Sequence, residues 1–182
     1  MVSLLGPPPS SSAASLSPKA ISISSMSKCY GLPEIRTGWI ASKDPFILDS
    51  ALAIREQLSI ANNSLSEEIA FFALKNMDDF LQQAKDQIDR NLVIVSDWMK
   101  DQEDFEWIYP EAGVVCFPRV KQNIDVDHEK LYCLLAEKYK TFVVPGRCFE
   151  MAKNHFRIGF GAEADEIKMG LSNLNKALTE LK

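Results

Sequence analysis

Apolar residues recur at positions 65, 69, 72, 77, 80, 84, 88, 92, 95 and 99. Steps of mostly three and four keep them on one slowly drifting helical face. The pattern predicts a helix of unusual length, from about 65 to 101, of the kind that bridges two bodies. Ser64 and Glu67 have the spacing of a capping box in front of it. Upstream, ISIS at 21–24 alternates apolar and small polar residues as a short strand does. Asp44-Pro45 reads as an N-cap with proline at the first helical position, opening a helix to about Leu58. Downstream, Val114–Phe117 and Thr141–Val144 read as short strands. Asp127 caps a helix between them that carries Leu131, Leu134, Leu135 and Tyr139. Pro145-Gly146 signals a turn, and His155–Phe160 reads as a strand. Ile167, Leu171, Leu174, Leu178 and Leu181 stripe a closing helix. No internal repeat is visible.

The predicted organisation is an α/β chain in three parts: 1–15, 16–101 and 102–182. Residues 1–20 hold four of the nine prolines, and no acid appears before Glu34. Such a stretch buries too little apolar surface to offset its ordering entropy, so 1–15 are expected to be disordered. Arginine is absent from it and Pro7-Pro8-Pro9 interrupts any amphipathic helix, which weighs against an organelle transit peptide.

Composition adds mostly exclusions. With 182 residues, 46% hydrophobic and a formal charge of −5, the chain has the profile of a soluble, cytoplasmic globular protein. Its 25 acids against 20 bases argue against a nucleic-acid or membrane-surface partner. No apolar run approaches the ~18–20 residues of a membrane helix. Cys29, Cys116, Cys133 and Cys148 are widely spaced, without a CxxC or a neighbouring histidine, so reduced thiols are expected and no metal site. The glycosylation pattern at Asn62-Asn63-Ser64 has no secretory context to give it meaning.

The stretch that carries chemistry is SSMSKCYGLPEIRTGW, residues 24–39. A strand ends in small hydroxyl residues, a lysine follows, and a loop then brings glycines at 31 and 38 and an arginine at 36. Ser25, Ser27 and Arg36 offer hydroxyl donors and a planar cationic fork to a phosphate. Lys28 beside them is an amine nucleophile able to form a Schiff base with an aldehyde. A solvated lysine and arginine on a loop is the alternative reading.

The whole string resembles the lysine motif of fold-type I pyridoxal-phosphate enzymes, the class I and II aminotransferases, S-x-S-K-x-x-G-x-x-G-x-R-x-G. Ser25, Ser27, Lys28, Gly31, Arg36 and Gly38 fall in register, and Glu34 stands where a glycine is usual. The resemblance implies that Lys28 is the catalytic lysine, bonded to pyridoxal 5'-phosphate, and that Ser25, Ser27 and Arg36 help to hold the cofactor. It implies a partial fold: a remnant of the large-domain sheet, a long connecting helix and a small C-terminal α/β domain.

In HFRIGFG, Phe156, Ile158 and Phe160 share one face of a strand and Arg157 points from the other. An arginine held on a sheet can grip a carboxylate with two parallel hydrogen bonds. The family places its carboxylate-binding arginine on such a strand after a V-x-P-G-x-x-F element, matched here by Val143, Pro145, Gly146 and Phe149. That implies a substrate role for Arg157. The EAGVVCFPR segment at 111–119 resembles the family's glycine-bearing strand near the substrate, which implies a substrate-side place for Gly113. Tyr30 and His155 read as packing residues, Cys29 as a thiol beside a cationic site, and Asp78-Asp79 and Asp101–Asp104 as solvated helix surface.

The resemblance runs from about Leu16 to the C-terminus and covers only the C-terminal half of such an enzyme. The acid that holds the pyridinium nitrogen lies further upstream in the family than this chain reaches, so exposed sheet edges and an apolar face are expected. The expected activity is amino-group transfer between an amino acid and a 2-oxo acid, in a family whose members are commonly homodimers. The rivals are a lyase, cyclase or synthase of the same fold, and a catalytically silent fragment acting by protein association.

Overall fold

The computed structural model describes residues 11–28 and 30–182. They divide into two compact units, one ending at Ala84 and the other beginning at Lys85.

The first unit is built on one antiparallel hairpin. α1 (Ala13–Leu16) is a single turn, and β1 (Ile21–Ser25) pairs with β2 (Gly38–Ser42) in the register Ile21↔Ser42 to Ser25↔Gly38. Residues 1–10, the greater part of the segment expected to be disordered, lie outside the described residues. From residue 11 onward the chain is tied down: the Ser12 and Ser22 hydroxyls are 2.6 Å apart, and Lys43 Nζ donates to Ser15 O at 2.8 Å. α2 (Pro45–Leu58) starts as its sequence predicts, with Asp44 Oδ1 accepting from Phe46 N at 3.0 Å and proline in the first turn. β1 and β2 form a two-stranded sheet with Ile21, Ile23 and Ile40 exposed, the apolar face and open edges expected of a partial sheet.

The long helix expected over 65–101 is two helices. α3 (Ser64–Lys75) ends at Asn76, whose side-chain amide donates to Phe72 O at 2.7 Å while its backbone N–H donates to the same carbonyl. An asparagine side chain that competes for the helix's own carbonyls favours a cap over continuation. α4 (Met77–Lys100) starts again immediately after it. The N-cap of α3 is Asn63, accepting from Ser66 N, and not Ser64; Glu67 instead accepts from Asn62 Nδ2. The buried face of α3 also differs from the periodic stripe. Ala70 and Ala73 are buried, while Leu65 and Phe72 are 70% and 61% exposed. The small residues face inward because they admit Met26 and Tyr30, with which they form a core flanked by Leu32, Ile35, Met77 and Phe80.

The second unit takes up α4 from Lys85 onward, where Ile88, Leu92, Val95 and Met99 are buried on the predicted face. β3 (Phe105–Glu106), β4 (Val115–Cys116) and β5 (Arg119–Val120) are two-residue strands, and α5 (His128–Glu137) is capped by Asp127 as expected. β6 (Val144–Pro145) leads into a short 3-10 turn over Gly146–Phe149, then β7 (Phe156–Gly159) and α6 (Ala164–Leu181). β7 lies between β4 and β6, antiparallel to both. Of the acids read as solvated, Asp104 is instead ion-paired with Lys182.

Two side-chain amides on α4 hold the segment between β7 and α6. Asn91, 1% exposed, donates from Nδ2 to Phe160 O and Ala162 O, both at 2.7 Å; one turn earlier, Gln87 reaches Gly161 O and Ala162 O at 3.1 and 3.2 Å. These carbonyls have left the strand ladder, and a buried carbonyl without a donor is costly. Asn91→Ala is therefore expected to lower the stability of this unit by about 2 kcal/mol. Gln87→Ala, whose bonds are longer and one of them exposed, loses less than half of that. Urea unfolding followed through Trp98 and Trp107 checks the ranking, and equal losses would refute it.

Candidate functional site

The loop after β1 is closed by backbone bonds at both ends. Met26 N donates to Thr37 O at 3.0 Å, extending the ladder by one rung, and Leu32 N donates to Met26 O at 3.0 Å. Within the loop, Gly31 N donates to Lys28 O at 3.1 Å with Gly31 at φ +66°, a turn that glycine makes without the Cβ penalty. Met26 and Tyr30 point into the core while Lys28 is exposed. Tyr30 packs as expected, its hydroxyl 3.6 Å from Met77 Sδ. Cys29 lies outside the described residues.

Ser25, Ser27 and Arg36 line one cavity of about 680 Å³, with Thr37, Trp39 and Arg55 also on its wall. Ser25 Oγ accepts from Ser27 N at 3.4 Å, which leaves its own proton free to donate outward. Arg36 sits at φ +52° and commits Nη1 to Pro33 O at 2.9 Å. None of the lining residues is a carboxylate. Lys28 follows Ser27 directly but is not itself part of the lining. Glu34, in place of the usual glycine, is exposed and not among the residues with positive φ, so the loop there needs no glycine. At Gly38 the need is steric: a Cβ would lie 2.8 Å from Ser24 O, across the rung that positions Ser25.

The first-unit residue that sequence reasoning missed is Arg55. It shares a face of α2 with Leu48 and Leu52, spaced four and three apart, and all three line the cavity. The helix was legible in the sequence; that this face meets the lysine loop was not.

In the second unit, β7 alternates as expected, with Phe156, Ile158 and Phe160 buried and Arg157 on the other face. Arg157 Cζ lies 5.3 Å from the centroid of Phe149, within cation–π range, and no carboxylate among the described residues pairs with it. It lines a cavity of about 290 Å³ with Thr141, Phe142 and Met169. Gly146 lets the chain turn here, since a Cβ would meet Ala152 O at 2.7 Å and His155 O at 2.8 Å. Phe149 packs edge-on to Phe117 at 5.4 Å, and Phe117 stacks on His155 at 5.6 Å. Burial first, and Arg119 second, push the His155 pKa below its ordinary value, as for a packed neutral ring. Gly113 sits at φ +103°, two residues before β4.

Cys116 is buried, which pushes its thiol up to about 12. Cys133 and Cys148 are exposed and free.

The family model described as aminotransferase class I and II matches residues 6–174. Capreomycidine synthase of Streptomyces vinaceus is 30% identical over 162 residues, 88% of this chain and 40% of the relative. The HTH-type transcriptional regulator NorG of Staphylococcus aureus is 28% identical over 161 residues, 81% of this chain and 34% of that protein. The crystal structure of a PLP-dependent aminotransferase from Streptococcus suis superimposes with a TM-score of 0.81 at 26% identity, over 90% of this chain and 43% of the other. The chain thus spans less than half the length of the relatives it matches.

The steric role of Gly38 is directly testable. Gly38→Ala is expected to cost the first unit about 1–3 kcal/mol, because the obstacle is backbone and cannot swing away. Gly31→Ala, with nothing within 4 Å and only its positive φ to strain, should cost about 1 kcal/mol. Thermal unfolding read through Trp39 separates them; a harmless Gly38→Ala would show that the rung is not tight.

Proposed function

The chain belongs to the aminotransferase class I and II family, and on that premise we propose that its lysine loop holds pyridoxal 5'-phosphate for amino-group transfer between an amino acid and a 2-oxo acid. The observation that carries this reading is the convergence of Ser25, Ser27 and Arg36 on one cavity, with Lys28 the next residue in the chain after Ser27. The donor set fits the phosphate end of the cofactor: hydroxyl protons and a guanidinium fork, with no carboxylate on the wall to repel an anion. When bound, the cofactor supplies an electron sink for the bonds at the substrate's Cα.

The remaining work falls to the chain's own side chains. Lys28 Nζ would hold the cofactor and, once free, would shuttle the α-proton between the substrate's Cα and the cofactor's C4′. Ser25, Ser27 and Arg36 would hold the phosphate and so orient the cofactor. Arg157 binds the substrate carboxylate through two parallel hydrogen bonds, with Phe149 holding the guanidinium plane in place. The left-handed backbone at Gly113 lets the 111–119 segment approach substrate closely.

A second reading is favoured by the 30% identity to a synthase: the same lysine and phosphate grip serving cyclisation or elimination. Exchange of label between an amino acid and its 2-oxo acid separates the two, since only transamination needs an amino acceptor.

Mixing the chain with pyridoxal phosphate, reducing with borohydride and mapping peptides by mass spectrometry tests the shared premise. A stoichiometric adduct on Lys28 is expected, absent in Lys28→Ala and diminished in Arg36→Ala. Labelling scattered over surface lysines would overturn the assignment.

A further inference from the structure

We infer that Arg55 is a second guanidinium for the anion gripped by Ser25, Ser27 and Arg36, making this cavity a site for the dianion of a phosphate monoester. The inference rests on the cofactor reading above and goes beyond it by adding a residue from another element. Arg36 and Arg55 line the same cavity, and no carboxylate lines it. Among the described residues neither guanidinium is ion-paired. Two like charges sharing one concave wall repel each other unless an anion enters between them. Glu67, the acid joined to this wall through Asn62, accepts from Asn62 Nδ2 at 2.8 Å and is not part of the lining.

The two arginines are held differently. Arg36 belongs to the loop and spends one donor on Pro33 O, whereas Arg55 stands in the last turn of a 14-residue helix and has no side-chain partner among the described residues. All the donors of its fork are therefore free for a ligand. A phosphate monoester carries about −1.5 to −2 charges at neutral pH, which matches two guanidinium groups better than one. The rest of the wall suits the body of such a ligand: Trp39, Leu48 and Leu52 are apolar surface beside the donors.

Equilibrium titration of the full chain with pyridoxal phosphate, pyridoxal and inorganic phosphate tests this. Arg55→Ala is expected to weaken pyridoxal phosphate about tenfold and to leave pyridoxal unchanged. Inorganic phosphate should compete correspondingly less well in that variant, and Arg55→Lys should recover part of the loss. Arg55 is exposed, so circular dichroism of the variants should match the unmodified chain. Undiminished pyridoxal phosphate binding in Arg55→Ala, with Arg36→Ala weakened, would overturn the role of Arg55 and leave the cofactor reading standing. If the unmodified chain binds pyridoxal phosphate no more tightly than pyridoxal, both fall.

Discussion

Met26 is the point on which the lysine loop turns. Its side chain is fully buried, its N–H completes the β1–β2 ladder on Thr37 O, and its carbonyl closes the loop by accepting from Leu32 N. With both backbone groups spent and the side chain locked among Ala70 and Ala73, the next residues have little freedom. Tyr30 is buried four residues on, so the chain dips into the core at 26 and 30 and must rise between them. Lys28 rides on that rise. Its exposure thus follows from its two buried neighbours. The small face of α3 goes with the same constraint, because Ala70 and Ala73 pack against the two anchors.

The second unit solves a comparable problem with hydrogen bonds. A strand that ends at Gly159 leaves carbonyls at 160–162 without ladder partners, and side-chain amides one helical turn apart on α4 satisfy them. That clamp holds the exit of β7, while Gly146 and the short turn after it bring Phe149 under Arg157. The cation is thereby oriented without being neutralised. An ion pair would have spent the fork that a carboxylate ligand needs, whereas an aromatic face leaves its N–H donors free.

The sequence failed where a local competition decided the outcome. The apolar stripe from 65 to 99 is continuous, and nothing in its period marks a break. Asn76 ends α3 because its own amide reaches Phe72 O, a contact that depends on one rotamer. The N-cap slipped from Ser64 to Asn63 for a similar reason, since either side chain can serve and geometry chose. Asn91 goes unmarked in the periodic pattern, which ranks residues by hydropathy, and a buried amide bonded to two carbonyls has no signature in that ranking.

What the sequence determined by itself is local or patterned. It fixes the α2 cap at Asp44-Pro45, the inward face of β7, the closing helix and the lysine motif, whose spacing reflects turn and strand geometry within one short stretch. Arg36 and the two serines could be grouped from the sequence because they are neighbours along it. Tertiary structure alone brought Arg55 to their cavity from a separate helix, put Phe149 under Arg157, and turned the alanines of α3 inward. Each of these is a contact between elements, set by how faces pack, and single-chain periodicity reports which residues share a face but not what that face will meet.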